Sequence, residues 1–196
     1  MPMARSGFTT LPARDRCTPA PYGVPMATTI RRLPAGRTDP SGIASTLDLP
    51  DTWAEVPAPE AALAVLTDGR TLSPAIETNI VLTASPLENG ATLASWQADV
   101  RAERLSMLPD LQILDARPVT GAINDELWYT SSVLTDPQGV TLSVRSWSRV
   151  QASTGLTLTL TTLPLVDVEH GAELDRIAAS WTPAEQAAER TPDDDA

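Results

Sequence analysis

The sequence has no lysine, a single histidine and a single cysteine in 196 residues, and each shortage removes a class of chemistry. With Cys17 alone, no intrachain disulfide can form, which fits a reducing compartment. The lone imidazole, His170, cannot assemble a histidine-based zinc site, so it reads as a structural or exposed side chain. No G-x-S-x-G elbow, H-E-x-x-H, Walker-type loop or G-x-G-x-x-G occurs in the chain. Serine or cysteine hydrolysis, zinc, nucleotide and dinucleotide chemistries therefore lose their usual support. Carboxylate pairs such as Asp125 with Glu126, or Asp167 with Glu169, read as turn and cap residues of an acidic protein rather than as an acid–base pair. The expectation is no catalytic residue, no metal ligand and no cofactor. The longest apolar runs fall short of the roughly 18 to 20 residues that cross a bilayer. No continuous apolar segment precedes Cys17, so neither an export signal nor lipid attachment is supported, and a cytoplasmic location without membrane insertion is expected.

Charge is unevenly spread. The formal net charge is −11, but residues 1–37 carry six arginines against Asp15 alone, a local +5 that leaves −16 for the remainder. An acidic domain repels phosphate backbones, and its few arginines are scattered, so nucleic-acid binding by the core is disfavoured. Residues 1–42 read as a disordered Arg- and Pro-rich leader, with a candidate edge strand over 28–33 weakened by Pro34 and Gly36. Met26 is a candidate start site. Residues 184–196 read as an acidic disordered tail. Between them, 43–183 form one domain of about 140 residues, enough to bury roughly 68% of the unfolded chain's surface.

What the chain does have is alternation. Gly139 to Leu163 holds two runs of alternating apolar and polar residues around a turn-prone QASTG, which is a β-hairpin pattern. Val140, Leu142 and Val144 alternate with Arg145, Trp147 and Arg149 in the first arm. In the second, Leu156, Leu158 and Leu160 alternate with threonines. Further strands are expected at 45–49, 61–67, 75–84, 111–119 and 127–134, divided by turn signals such as Asp68-Gly69 and Gly121-Ala122. The period changes to 3.6 from Thr92 to Leu108, where Leu93, Trp96, Val100, Met107 and Leu108 mark an apolar stripe. Pro109 ends that helix. A closing helix is expected from Val168 to Trp181, capped by Asp167, with Leu174, Ile177, Ala178 and Trp181 facing the sheet. Trp53 reads as a core anchor. The order gives an α+β fold: a largely antiparallel seven-stranded sheet packed by helices.

One feature is not accounted for by packing alone. Trp128, Arg145, Trp147 and Arg149 fall among serines and threonines on what reads as the second face of the sheet, and Trp and Arg are the frequent anchors of protein interfaces. These four are the candidate partner-binding residues. A bulge near Trp147, or a helix laid over this face, would instead bury them.

The succession of Leu49-Pro50-Asp51-Thr52-Trp53, the strand around Asn79-Ile80-Val81-Leu82, the helix around Trp96, the three-stranded meander and Ser180-Trp181-Thr182-Pro183 resembles the PsbP-like superfamily. It looks like the actinobacterial LpqN and DcrB-like branch, related to the Ran-binding Mog proteins. An all-arginine basic complement agrees with an actinobacterial source. The resemblance covers roughly residues 43–183. It implies an α/β/α sandwich and a non-enzymatic binding or adaptor role, with a chaperone or loading factor for a secreted or assembled partner protein as the specific form. The alternative is a small-molecule-binding protein or minor enzyme that uses a cavity between sheet and helix.

Overall fold

The computed structural model describes residues 28–33, 44–69 and 76–184. The remainder of the expected leader, including Cys17 and Met26, and the tail beyond residue 184 lie outside these. Among the described residues, ten strands and two helices follow in the order β1 (Thr28–Leu33), β2 (Ala44–Pro50), β3 (Trp53–Val56), β4 (Ala64–Asp68), β5 (Asn79–Pro86), α1 (Leu93–Met107), β6 (Gln112–Thr120), β7 (Glu126–Thr135), β8 (Thr141–Gln151), β9 (Thr154–Thr162), α2 (Pro164–Ala179) and β10 (Thr182–Ala184).

Seven strands make one sheet in the order β3-β4-β5-β9-β8-β7-β6, with every neighbouring pair antiparallel. The expected strand count holds, but the membership differs. The segment 45–49, expected in this sheet, is β2 and belongs to a separate three-stranded sheet ordered β1-β2-β10. Its partners lie at opposite ends of the chain, so local patterning carries no sign of the pairing. Thr46 Oγ1 lies 2.6 Å from Thr182 Oγ1, and the Asp48 amide donates to Ser180 Oγ at 2.8 Å. The main sheet gains β3 in its place, through Trp53, whose ring is wholly buried.

The helices differ from expectation at their ends. Thr92 caps α1 as expected, accepting from the Ser95 amide at 3.1 Å while Ser95 Oγ accepts from the Thr92 amide at 3.0 Å. α2 begins at Pro164 rather than Val168, and Leu163 rather than Asp167 is its N-cap. Proline suits a first helical turn because it has no amide hydrogen to leave unpaired. Asp167 thus sits one turn inside, where its carboxylate accepts from Ser143 Oγ at 2.7 Å.

The β8–β9 register corrects the assignment of faces. Gln151 pairs with Thr154, so the turn is only Ala152-Ser153, with Ala152 in the left-handed region at φ 51°. Arg145, Trp147 and Arg149 thereby stand opposite Leu160, Leu158 and Leu156. Cross-strand partners share a face, so the Arg/Trp side of β8 is continuous with the leucine side of β9, against the expectation that these lay apart. That face is the core. α2 covers it with Leu174, Ile177 and Ala178, joined by Leu47 and Leu49 of β2 and by Trp181. Val144 and Leu142, expected in the core, are half-buried on the other face.

The opposite face is built largely of hydroxyls and is covered by α1, which completes an α/β/α layering. Trp96 fixes that helix by lying flat against Gly155 of β9: a Cβ added there would come within 2.5 Å of the indole Cζ2. Gly155→Ala should therefore force the ring off the sheet and lower stability by about 1 to 3 kcal/mol. The midpoint of chemical denaturation checks this, and an unchanged midpoint would refute the Trp96 contact as the fixing point of α1.

Candidate functional site

The four candidate partner-binding residues do not form one surface. Trp147 is 8% exposed, Arg145 6% and Arg149 2%, whereas half-buried Trp128 pairs with Ser148 and points to the α1 face. The expected exposed Trp/Arg cluster is thus split by the sheet and mostly covered by α2. The β7–β8 register, which sets Trp128 opposite Ser148 rather than Trp147, makes the split. The one-residue difference in the β8–β9 hairpin puts Arg145, Trp147 and Arg149 on the leucine face, because side chains alternate with a period of two.

On the α2 face the two arginines tie the helix and the chain after it to the sheet. Arg145 Nη2 lies 2.6 Å from Asp167 Oδ1, and its Nη1 donates to Asp175 Oδ1 at 2.5 Å. Arg149 Nη1 lies 2.9 Å from Asp125 Oδ2, Nη2 donates to the Trp181 carbonyl at 2.8 Å, and the guanidinium sits 4.1 Å from the Trp181 ring centroid. Burial pushes the Arg149 pKa below its ordinary value, opposed by the Asp125 charge. A buried guanidinium needs such partners, because an unpaired charge in the interior costs several kcal/mol. These groups hold the fold. A groove of about 520 Å³ remains beside them, where Tyr129 and Trp147 touch at 5.4 Å between ring centroids. Its charged groups are already matched, Arg145 to Asp175 and Arg117 to Asp115.

On the other face lies a cleft of about 390 Å³ between α1 and strands β6 and β7. It exists because the facing residues are small. Helix α1 presents Ala94, Ala98 and Ala102 at four-residue spacing, and the strands present Ala116, Thr130 and Ser132. Trp96 and Gly155 hold the helix close at its N-terminal end, while toward the C-terminal end Leu105 and Met107 are exposed. A register shift between Ile113 and Asp115 bulges β6 outward at Leu114 and turns Ile113 into the cleft wall. Trp128 supplies a second wall.

The polar groups of the cleft are few and all but the hydroxyls are donors of positive or amide character. Gln97 is 7% exposed, lines the cleft, and its Nε2 has no hydrogen-bond partner among the described residues. Arg101 and Arg104 also line it, and among the described residues the lining holds no carboxylate. Burial lowers the Arg104 pKa from its ordinary value, partly offset by Glu103. A buried amide without a partner forfeits about 1 to 3 kcal/mol, a cost that a bound polar group would remove.

The architecture is matched by solved structures. LpqN, involved in cell envelope biogenesis of Mycobacterium tuberculosis, superposes with a TM-score of 0.62 at 20% identity, over 80% of this chain and 92% of that one. The cyanobacterial PsbP of Synechocystis sp. PCC 6803 gives 0.57 at 14% identity, over 85% and 98%. PA94 from Pseudomonas aeruginosa, a protein of unknown function, gives 0.53 at 17% identity, over 81% and 98%. The chain has the PsbP-like fold. No protein-family model and no curated protein matches the sequence, and at these identities the likeness concerns the fold.

Within this PsbP-like domain, sequence reasoning reached Trp128 but missed Gln97, Arg101 and Arg104. The available signal was Gln97 itself, four residues after Leu93 on the buried stripe of α1. A polar residue at a core position of an amphipathic helix is the informative exception. Among the described residues no three His, Cys, Asp or Glu side chains gather into a metal-binding group, and no helix is long and apolar enough to cross a membrane.

The two tryptophans should separate on truncation. Trp147→Ala removes a core ring and is expected to cost about 3 to 5 kcal/mol, while Trp128→Ala opens a cleft wall and costs well under half of that. Urea denaturation of both variants decides this, and equal losses would contradict the two-faced placement.

Proposed function

We propose that this PsbP-like domain is a non-enzymatic binding protein whose ligand is a small, largely apolar molecule seated between α1 and the sheet. The observation that carries this reading is the α1 cleft, concave and apolar-lined with a few convergent polar groups, the usual make-up of a ligand site. Its volume, about 390 Å³, lies at the lower end of the range of roughly 300 to 1,000 Å³ for such sites. Trp128, Ile113 and Leu105 give the apolar contact, and Gln97 gives direction.

A neutral apolar dye such as N-phenylnaphthylamine tests the reading. It is expected to bind saturably at one site with a rise in its fluorescence. Ala98→Trp, which fills the cleft from an exposed helix position, should abolish that binding without moving the unfolding midpoint. Absence of saturable binding to the native chain, or full binding by the filled variant, would overturn the proposal.

An adaptor or chaperone role toward a partner protein is the second reading. It is favoured by Leu105, Met107, Leu108 and Leu114, large apolar side chains at the end of α1 and the β6 bulge that are between 42% and 69% exposed. Exposed apolar groups of this kind are frequent in interfaces. For this reading, Met107→Glu with Leu114→Glu should remove a copurifying partner while dye binding is unchanged. Retention of the partner by the double variant would argue against it.

A further inference from the structure

The polar lining of the α1 cleft specifies more than a hydrophobic ligand. The chain as a whole carries a net charge of −11, yet among the described residues the cleft is lined by two arginines and no acidic side chain. Neither Arg101 nor Arg104 forms an ion pair with a described residue. By contrast Arg117, Arg145 and Arg149 on the other face are each matched to a carboxylate. Gln97 adds an amide nitrogen that is buried and unpartnered. Ser132 is already engaged, its hydroxyl donating to the Val144 carbonyl at 3.3 Å. The unused charged and amide capacity is thus donor-rich and cationic, whereas the remaining lining is the Thr130 hydroxyl with alanine, leucine, isoleucine, valine and tryptophan.

We propose that the cleft binds a single-chain amphiphile with an anionic head group, the head held by Arg101, Arg104 and the Gln97 amide and the chain lying along Leu105, Ile113 and Trp128. The proposal rests on the cleft being the ligand site. A guanidinium fork matches the paired oxygens of a carboxylate or phosphate, so either head satisfies the site. The chain is needed to cover the apolar walls, which a free anion would leave wet. A space of about 390 Å³, at the lower end of ligand-site volumes, suits one chain better than two.

Calorimetric titration of the full chain with decanoate, decyl phosphate, decanol and inorganic phosphate, each below its micellar concentration, tests this. Decanoate or decyl phosphate should bind tighter than decanol by about tenfold or more, as charge-assisted bonds are the strong ones. Whichever of the two binds better identifies the head group. Arg101→Gln with Arg104→Gln should erase that preference by weakening the anions about tenfold or more and decanol far less, with an unaltered thermal midpoint showing an intact fold. Gln97→Leu should weaken the anionic ligands more than decanol. Equal binding of decanol and the anions would overturn the head-group assignment while leaving the cleft as an apolar site. Binding of inorganic phosphate as tight as decyl phosphate would overturn the amphiphile in favour of a free anion. If neither decanol, the anions nor the neutral dye binds, the ligand-site reading fails with it.

Discussion

The two-residue turn at Ala152-Ser153 sets the arrangement on which the rest of the molecule depends. By pairing Gln151 with Thr154 it places Trp147 opposite Leu158 and commits Arg145, Trp147 and Arg149 to the leucine face. One more residue in the loop would reverse the assignment, because the side-chain period in a strand is two. Everything laid on the sheet follows from that choice. α2 supplies Asp167 and Asp175 to Arg145, while Arg149 is met by the Trp181 carbonyl, just past α2, and by Asp125. The opposite face is left with serines, threonines and Gly155, interspersed with Leu142, Val144, Val150 and Trp128.

The two covers of the sheet accordingly differ in kind. α2 packs against leucines and buried arginines, with Leu174, Ile177 and Ala178 nearly inaccessible. α1 meets a surface of short polar side chains and buries only Leu93 and Gln97 fully. A helix so weakly embedded can stand off the sheet at its C-terminal half without exposing a large apolar core. Trp96 on Gly155 holds the near end, and the bulge at Leu114 widens the far end. The cleft is thus a consequence of residue size on both walls rather than of a missing element.

The PsbP-like fold was legible because its signals are local. Alternation at 61–67, 111–119 and 127–134, the capped helix after Thr92 and the apolar spacing of Leu174, Ile177 and Trp181 each lie within a short window. The site was less legible. Trp128 stood out by type, but its separation from Trp147 depends on pairing. Gln97 lies on the apolar stripe four residues after Leu93, but that it is buried with an unpartnered amide emerges only when the helix is placed on the sheet. Asp167 looked like a cap, and became an arginine partner once Pro164 began the helix a turn earlier.

The sequence by itself determined most of the elements, though not β3 or β10, with the antiparallel hairpin and the α+β class, since propensity, capping and periodicity act over a few residues. Only the tertiary structure decided which face of β8 is the interior, that β2 leaves the main sheet for strands at the two ends of the chain, and that Ala94, Ala98, Ala116 and Trp128 enclose a space. Those outcomes depend on register and long-range pairing, and a shift of one residue in either inverts them without altering any local pattern.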